Sequence, residues 1–318
     1  MIALVILQYN NWLDTKNCIL SIERYNTAPV KYIVVDNAST RKECVEEAHE
    51  FLSTTFSDSY LCLYDKTPTP EQLPRATFLK SSSNDGYAQG NNKGIQLCLN
   101  DETVDSVLVI NNDVLFTEDI LPTLHSYLDK LDDVGIITPL VYNKDMSDYD
   151  YNCARIHPSK RELVLSFLLL FRNVGGILNK LKHRRSVLHV HPEYVQLPFF
   201  SIELPSGSFM LFKKEILQRI KGFDPNTFLY FEEDILYKKL SEINLRTYLI
   251  PSCHCIHLGC STTKSIHSTF LSRCMVNSIW HYLNQYEKLS FVEKVIVNSS
   301  KSILSILQKT RDTLSKKQ

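Results

Sequence analysis

The sequence has no surplus of charge, no apolar run long enough to cross a bilayer, and no basic residues ahead of its first apolar stretch. Its 35 Lys and Arg residues balance 35 Asp and Glu residues, so the net charge does not indicate nucleic-acid binding. The apolar run from 163 to 171 is too short for a transmembrane helix. Because Met1 to Ile6 enters a strand pattern directly, we expect no signal peptide, a cytoplasmic location and reduced thiols in the nine cysteines.

Motifs that define several common sites are also missing. No G-x-G-x-x-G opens the first helix and no G-x-x-x-x-G-K-[ST] occurs, which excludes the dinucleotide fingerprint and the P-loop. Cys253 and Cys255 are closer together than zinc ligands usually are and lack a second pair, although the neighbouring histidines make a zinc site conceivable. Their alternation with His254 favours a strand with both cysteines facing inward. No Ser or Cys has the sequence context of a catalytic nucleophile.

What the sequence does contain is a regular alternation of strand and helix patterns. Apolar, β-branched runs alternate with segments of helical spacing from the first residue onward, which predicts an α/β fold with a mostly parallel, twisted sheet. The predicted strands are Ile2–Leu7, Lys31–Val35, Phe78–Ser81, Ser106–Ile110 and Val134–Pro139. The predicted helices are Trp12–Arg24, Arg41–Leu52, a segment ending at Leu99, and Ile120–Lys130, and Thr67–Pro74 is predicted to be a loop.

Three of these strands end in polar corners, at Gln8–Asn11, Asp36–Ser39 and Asn111–Asp113. Ligands of open α/β sheets bind at the carboxyl ends of the strands, so three such corners indicate a shared crevice. Asn and Asp are also common turn residues, and each corner taken alone fits a turn equally well. The segment Asn84–Gly94 adds a fourth polar edge, where Gly86 and Gly90 permit close backbone approach.

The order of these motifs resembles that of the family 2 glycosyltransferases of the GT-A fold, above all the bacterial rhamnosyltransferase-like and cell-surface polysaccharide branch. The matching segments of the first half are Val5–Asn11, Val34–Ser39, Asn84–Asn92 and Val109–Asp113. Those of the second half are Leu204–Phe212, Gly222–Pro225, Phe228–Leu236, Pro251 and His257–Ser261. The resemblance covers about residues 1–262, which implies a GT-A domain of that length and a helical extension over 263–318.

The resemblance implies an inverting, metal-dependent sugar transfer from a UDP- or dTDP-linked donor to a hydroxyl of a surface glycan or lipid-linked acceptor. It assigns a Mn²⁺ or Mg²⁺ ion to Asp113 and His257, with Asn111 replacing the first acid of the family's Asp-x-Asp element. Such cations take oxygen ligands and few protein carboxylates when a substrate phosphate is present. The residues that it assigns to the nucleotide-sugar are Tyr9, Asn10, Asp36, Asn37, Asn84, Gly86, Asn91, Asn111 and Asn112. Those that it assigns to the acceptor are Gly207, Ser208 and Glu232.

The resemblance implies that the catalytic base is Glu233 or Asp234. Aligning Gly222-Phe223-Asp224 and the following leucines with the family places Glu233 at the position of its catalytic Asp, and Asp234 is the other candidate. An acidic first turn stabilised by the helix dipole explains the same residues without catalysis.

Two other functions remain as alternatives. A sugar-1-phosphate nucleotidyltransferase would need a Gly-rich, basic N-terminal loop, and Gln8–Asn11 is unlike one. A non-catalytic sugar-nucleotide-binding or scaffold protein would keep the fold but lose the acids, whereas Asp113, Glu233 and Asp234 are present.

Two segments are basic despite the zero net charge. Residues 160–185 contain seven Lys or Arg against Glu162 alone, and residues 264–318 contain nine against three acids. A basic helix with an apolar face can lie on an anionic membrane, so we expect peripheral attachment at the inner face of the cell membrane. A buried helix with solvated ends is the alternative, and it is favoured for the first segment.

Overall fold

The structure is a computed structural model that describes residues 1–169, 186–259 and 268–315. The strands are β1 (Ile2–Gln8), β2 (Val30–Asp36), β3 (Tyr60–Tyr64), β4 (Ala76–Lys80), β5 (Ser106–Asn111), β6 (Val114–Phe116), β7 (Val134–Tyr142), β8 (Ala154–Arg155), β9 (Phe200–Ile202), β10 (Leu204–Pro205), β11 (Phe209–Lys213) and β12 (Arg246–His257). The helices are α1 (Trp12–Tyr25), α2 (Lys42–Phe56), α3 (Gly86–Asn100), α4 (Leu121–Lys130), α5 (Lys160–Leu168), α6 (Val187–Val190), α7 (Lys214–Ile220), α8 (Glu232–Glu242), α9 (Ser268–Gln285) and α10 (Phe291–Ser315).

The centre of the fold is one large sheet with the strand order β3-β4-β2-β1-β5-β11-β7-β12-β6, to which β9 adds on β12. From β3 to β5 all neighbours are parallel, and β7 and β12 are parallel to each other. The antiparallel strands are β6, β9 and β11. The prediction of a mostly parallel α/β sheet is therefore confirmed.

The register of the central strands brings the polar corners together. Gln8 at the end of β1 pairs with Asp36 at the end of β2, and Leu7 pairs with Asn111 at the end of β5. Since β2, β1 and β5 are adjacent and parallel, their carboxyl ends lie at one edge of the sheet. This edge holds the candidate site.

Apolar side chains cover both faces of the sheet. One face packs against α1, α2 and α4 and includes Ile19, Leu52 and Leu124. The other face packs against α3, α7 and α8. The strands between these layers are mostly apolar because they are buried on both sides, and the buried Lys31 on β2 is paired with Asp101.

A third apolar core joins the C-terminal helices to the rest of the molecule. It contains Phe167 of α5, Ile235 of α8, Ile279 and Leu283 of α9, and Val297 of α10. Helix α9 is thus part of a core shared with α8, which carries the acidic cluster. The predicted boundary at residue 262 lies outside the described residues, and the division there stays a prediction.

The predicted elements of the first half are present, with ends that shift by a few residues. The sequence analysis missed β3 and β6, which are short or lie at the edge of the sheet. The run Leu204–Phe212 resembles a single strand of the family, but Ser206–Ser208 interrupt it, so that β10 and β11 belong to different sheets. Cys253 and Cys255 are buried on β12 and His254 is only partly buried, as the alternation predicted.

The two basic segments have different surroundings. In α5 the side chains of Leu163, Val164 and Phe167 are buried, whereas Leu165 and Leu168 are exposed, so this helix is buried on one face only. Residues 170–185 lie outside the described part, and the choice between the two alternatives for this segment stays a prediction. Among the described residues, none of the helices combines the length and apolar character that crossing a bilayer requires.

Candidate active site

The ends of β1 and β2 are joined through a buried carboxylate. The Gln8 side-chain amide donates a hydrogen bond to Asp36 Oδ1, and the Ser39 backbone N–H donates to Asp36 Oδ2 over 3.2 Å. Burial raises the pKa of Asp36 from its ordinary value, and the bonds from Ser39 partly offset this. Asn10 lies beside this pair, because its backbone N–H donates to Ser39 Oγ over 2.8 Å. Tyr9 is half-buried next to it.

The loop before α3 is fastened to the end of β2. The Asn37 amide nitrogen donates to Asn84 Oδ1 and to the Gly86 carbonyl, both over 3.0 Å. Its oxygen accepts from the Asp85 backbone N–H over 3.2 Å. The predicted residues Asn37, Asn84 and Gly86 therefore form one bonded unit.

Gly86 joins this unit to the second half of the chain. Its φ of 79° lies in the left-handed region, and a Cβ there would overlap the Phe228 carbonyl oxygen. The Tyr87 backbone N–H donates to the same oxygen over 2.7 Å. Asn91, one turn further along α3, donates its amide to the Tyr87 carbonyl over 3.0 Å. This close approach aligns the start of α3 with the segment that leads into α8.

The two asparagines after β5 face different neighbours. The Asn111 backbone N–H donates to the Ser208 carbonyl over 2.9 Å, and Asn111 lines a cavity described below. The buried Asn112 side chain instead donates to Thr15 Oγ1 on α1 over 3.0 Å. A nucleotide-binding role for Asn112 stays a prediction.

Asp113 lies against His257, and their role as metal ligands stays a prediction. His257 Nε2 is 3.2 Å from Asp113 Oδ1, and His257 Nδ1 is 2.6 Å from Asp150 Oδ2. Burial would lower the pKa of His257, but the bonds to these two carboxylates outweigh burial and raise it to about 10. Asp150 follows no motif in the sequence, and the sequence analysis missed it.

The donor set at this point fits a cation that is shared with a substrate. Within the described residues, no group of three or more His, Cys, Asp or Glu side chains is arranged to hold a metal ion. Asp113 offers one carboxylate and His257 one ring nitrogen once its proton is lost. Mg²⁺ and Mn²⁺ sites that also bind substrate phosphates commonly use as few protein ligands as this.

Three consecutive acids, here called the acidic cluster, form the first turn of α8, and the two residues before them have positive φ values. Tyr230 and Phe231 have φ values of 74° and 73°, and non-glycine residues in this region are enriched at functional sites. The three acids that follow are Glu232, Glu233 and Asp234, and their carboxylates have different surroundings.

Glu233 faces the loop between β10 and β11. A Cβ at Gly207 would overlap Glu233 Oε1, so a side chain at this position would displace the carboxylate. Arg155 Nη2 is 3.9 Å from Glu233 Oε2. Burial raises the pKa of Glu233, Arg155 opposes that rise, and Asp234 adds to it. The Tyr87 hydroxyl donates a hydrogen bond to the Gly207 carbonyl over 2.6 Å. Tyr87 therefore contacts the same loop that the Glu233 carboxylate faces.

Asp234 instead faces a hydrogen-bond network that leads to the C-terminal helices. Its Oδ1 is 2.9 Å from His157 Nδ1. His157 Nε2 is 2.9 Å from the Tyr282 hydroxyl, which donates to Glu287 Oε1 over 3.0 Å. Glu232 is also buried, and burial together with the neighbouring Glu233 raises its pKa to about 8. Of the three acids, Glu233 is therefore the one whose carboxylate faces the Arg155 guanidinium beside Gly207.

A cavity of about 550 Å³ connects the two parts of the site. Asn111 and His257 line it on the sheet side, and Gly207, Ser208 and the acidic cluster line it on the α8 side. The volume is in the usual range for small-molecule sites. The sequence analysis missed Arg155 on its wall and His157 beside Asp234, because neither belongs to a recognisable motif.

The fold and this site can now be compared with known proteins. A model of the family described as Glycosyl transferase family 2 matches residues 3–221. The chain belongs to glycosyl transferase family 2. The matched range contains β1 to β11, and with them the predicted nucleotide-sugar residues, Asp113, Arg155 and Gly207.

Two curated relatives of this family 2 chain are themselves transferases. It is 27% identical over 186 residues to the rhamnosyltransferase WbbL of Escherichia coli (strain K12), a match that covers 58% of this chain and 64% of that one. It is 22% identical over 235 residues to the low-salt glycan biosynthesis hexosyltransferase Agl10 of Haloferax volcanii, which covers 73% and 59%. The chain thus spans less than two thirds of the length of these two relatives.

Solved structures of other transferases share the fold of this family 2 chain. GalNAc-T7 with UDP, GalNAc and Mn²⁺ matches with a TM-score of 0.56 and 11% identity, over 89% of this chain and 47% of that one. The mannosyltransferase PcManGT from Pyrobaculum calidifontis with GDP-Man and Mn²⁺ matches with a TM-score of 0.53 and 14% identity, over 96% and 70%. The likeness confirms the predicted GT-A fold.

Proposed function

We propose that this protein transfers a sugar from a nucleotide-sugar to a hydroxyl group of an acceptor, with inversion at the anomeric carbon. The observation that carries the proposal is the position of Glu233, which lies between Gly207 and Arg155 in a cavity that Asn111 and His257 also line. A carboxylate in this position can accept the proton of an acceptor hydroxyl. Family membership supports the same chemistry.

The donor side of the proposal rests on the edge formed by β2, β1 and β5. Asp36, Asn37 and Asn84 are bonded to one another or to β1 there, and we propose that this edge binds the nucleotide. A UDP- or dTDP-linked sugar remains the proposed donor, and the solved relatives bind UDP and GDP-Man. Asn91 and Gly86 would keep α3 at the distance that the donor sugar requires.

Asp113 and His257 are the residues that we propose for a divalent cation. Both solved relatives contain Mn²⁺, and Mg²⁺ has the same preference for oxygen ligands. When bound, such a cation neutralises the charge on the diphosphate leaving group. The residues of the chain hold the two reactants in line and keep bulk water away from the donor.

The proposed reaction consists of one displacement. Glu233 takes the proton from the acceptor hydroxyl while that oxygen forms a bond to the anomeric carbon of the donor sugar. The bond from this carbon to the diphosphate breaks, and the nucleoside diphosphate leaves with the electron pair. Gly207, Ser208 and Glu232 would orient the acceptor at the same cavity. The surface glycan or lipid-linked acceptor implied by the family resemblance remains a proposal.

Matched substitutions in the acidic pair test the proposal. Glu233→Gln keeps the size of the side chain but cannot accept a proton at neutral pH, so we expect turnover to fall about 10²–10⁴-fold. Asp234→Asn changes the bond to His157, away from the Gly207 loop, and should cost far less. Turnover of a panel of nucleotide-sugars and nucleotide affinity are measured for both variants.

Nucleotide affinity should be similar in the two variants, because Asp36, Asn37 and Asn84 of the proposed nucleotide edge are not among the residues that line the cavity beside α8. A large rate loss confined to Asp234→Asn would reassign the base to Asp234. Normal rates in both variants would leave a non-catalytic sugar-nucleotide-binding protein as the function, since the acidic cluster would then play no part in turnover.

We also propose peripheral attachment to the inner face of the cell membrane through α10. Exposed apolar residues of this helix share one face: Phe291, Val292, Val295, Ile303, Ile306 and Leu307. Such a face, with lysines such as Lys294 nearby, is typical of helices that lie on anionic membranes.

A further inference from the structure

The first turn of α8 is held by other elements rather than by a cap of its own. Its N-cap residue Phe231 makes no side-chain capping bond, and both Phe231 and Tyr230 have left-handed φ values. Non-glycine residues are strained in this region, and a helix start without a capping side chain lacks a stabilising contact. Contacts from outside the helix must therefore fix the turn that carries Glu233.

One such contact is made by the buried Asp234, the residue next to Glu233. Its Oδ1 lies 2.9 Å from His157 Nδ1. Because an ionised carboxylate can only accept hydrogen bonds, the ring nitrogen is the donor. Hydrogen bonds to a charged acceptor are stronger than those between neutral groups, so His157 anchors the first turn of α8.

The His157 ring is itself held in one orientation. Its Nε2 is 2.9 Å from the Tyr282 hydroxyl of α9, and its ring centre is 5.2 Å from that of Tyr237 and 5.4 Å from that of Tyr282. The His157 backbone N–H donates to Glu203 Oε2 over 2.6 Å. The imidazole therefore has little freedom to move away from the acidic cluster.

The segment that carries His157 also carries another neighbour of the proposed base. Strand β8 ends at Arg155, which faces Glu233, and His157 follows two residues later. β8 pairs with β10, where Arg155 lies opposite Leu204, and β10 leads into the loop that contains Gly207. One small sheet therefore positions the cation and the glycine that the Glu233 carboxylate faces, together with the imidazole that holds the next residue.

We propose that His157 is a positioning residue of the transfer reaction, which holds the first turn of α8 through Asp234 and thereby keeps the Glu233 carboxylate oriented toward the acceptor hydroxyl. The inference rests on the proposed function, in which Glu233 is the base. His157 is not among the described residues that line the cavity, so its effect on turnover acts through Asp234. Its bond to Tyr282 makes α9 part of the same support.

Two substitutions of His157 separate its two ring bonds. Asparagine places its amide nitrogen near the position of Nδ1 and can still donate to Asp234, whereas glutamine places its amide nitrogen near Nε2 and reaches Tyr282 instead. We expect His157→Gln to lower kcat about tenfold to hundredfold with an unchanged KM for the donor, and His157→Asn to stay within about threefold of wild type. The measured reaction is the Mn²⁺-dependent release of UDP or dTDP from UDP- and dTDP-linked sugars, with water as the acceptor.

The Glu233→Gln background distinguishes positioning from a general structural role. This variant has no base left to position, so adding His157→Gln should not lower its residual turnover further, because residues that act as one unit have non-additive effects. A residue that only supports the fold would lower turnover by the same factor in both backgrounds.

His281→Asn on α9 is the matched control. The side chains of His281 and His157 are both 13% exposed, and His281 Nε2 is 2.8 Å from Asp224 Oδ2. The control therefore removes a bond of the same kind from the same helix pair. It should lower the melting temperature about as much as His157→Gln does, but should leave kcat unchanged.

Hydrogen exchange reports on the same turn without any turnover. The Ile235 backbone N–H donates to the Phe231 carbonyl over 3.1 Å, and this bond is lost when the first turn of α8 opens. Its exchange should be faster in His157→Gln than in His157→Asn or wild type, because local opening becomes more frequent.

Two results would overturn the inference. A wild-type kcat in His157→Gln would show that the orientation of Glu233 does not depend on the imidazole. Equal factors of loss in the wild-type and Glu233→Gln backgrounds would make His157 a support of the fold alone. Failure of the proposed function is seen separately, as normal turnover in the single variant Glu233→Gln, whereas failure of the inference leaves that variant impaired.

Discussion

Glu233 and Asp234 are adjacent in the chain, but their carboxylates have different surroundings. The Asp234 carboxylate is bonded to an imidazole within a network that continues to Tyr282. The Glu233 carboxylate is paired with Arg155 across 3.9 Å. This distance is too long for a hydrogen bond, so the positive charge attracts the carboxylate while its oxygen can still accept a proton. At the scale of single residues, the neighbours of a carboxylate decide whether it acts as a base or as an anchor.

Replacing Arg155 should shift the pH dependence of turnover. Glu233 is also faced by Glu232, Asp234, the Tyr87 hydroxyl and the Gly207 backbone. Without the cation the pKa of Glu233 rises, so less of the base is ionised at a given pH. We expect the acidic limb of the pH–rate profile to move up by about one to three units in Arg155→Met.

The same prediction provides its own controls. Arg155→Lys keeps the charge and should restore most of the profile, while Arg24→Met on the exposed side of α1 should leave it unchanged. If Arg155→Met lowers turnover equally at every pH, its role is to bind substrate rather than to keep Glu233 ionised.

At the scale of secondary-structure elements, the β/α units of the first half follow from the sequence. Their strands are mostly apolar because both faces are buried, and polar residues mark their ends. The register Gln8–Asp36 then follows from parallel pairing of adjacent strands. For this reason the sheet edge that we propose for the nucleotide could be located from the sequence.

The contacts around Asp234 and His257 could not be located in the same way. His157 and Tyr282 are 125 positions apart, and Asp150 and His257 are 107 apart. These contacts join loops and helix ends, where no periodicity constrains the residue type. The resemblance placed Glu233 by alignment, while its partner Arg155 belongs to a strand of two residues that no sequence pattern marks.

Gly86 offers a test of how closely two elements must approach. Gly86→Ala places a methyl group against the Phe228 carbonyl in a left-handed conformation, so we expect the free energy of unfolding to fall by about 2 kcal/mol or more. Gly259→Ala is the matched control, because Gly259 has a similar φ of 74° with nothing within 4 Å. It should cost about 1 kcal/mol. Chemical denaturation of both variants is the measurement, and equal losses would mean that backbone strain, rather than contact with Phe228, decides the cost.

At the scale of the whole molecule, the buried acidic cluster makes stability depend on pH. The folded state raises the pKa of Glu232 above its ordinary value of 4.5, so the folded state holds this proton more tightly than the unfolded state does. Stability is then greatest below pH 4.5 for this group and is lost as the pH rises toward 8. Glu232→Gln mimics the protonated form and should raise the melting temperature at pH 9, with a much smaller rise at pH 5.

Thermal melting at the two pH values checks this expectation. Glu287→Gln replaces an acid that lies at the end of the Tyr282 network and serves as the control for loss of one negative charge. A Glu232→Gln variant that is no more stable than wild type at pH 9 would mean that Glu232 is already ionised and accommodated.

Membrane attachment through α10 must be tested without removing the C-terminal helices. Truncation before α9 would expose the core partners of Ile279 and Leu283, so lost binding could reflect unfolding. A triple variant with Phe291, Val292 and Ile306 replaced by Ser changes the exposed face alone. We expect the wild type to float with vesicles of phosphatidylglycerol and phosphatidylcholine, and the triple variant to remain largely in the soluble fraction, because its apolar contact area is gone.

Replacing the exposed Leu13 and Leu20 of α1 by Ser should not change flotation, and higher salt should weaken flotation if the lysines contribute. Flotation of the triple variant to the wild-type extent would assign attachment to another surface of the molecule.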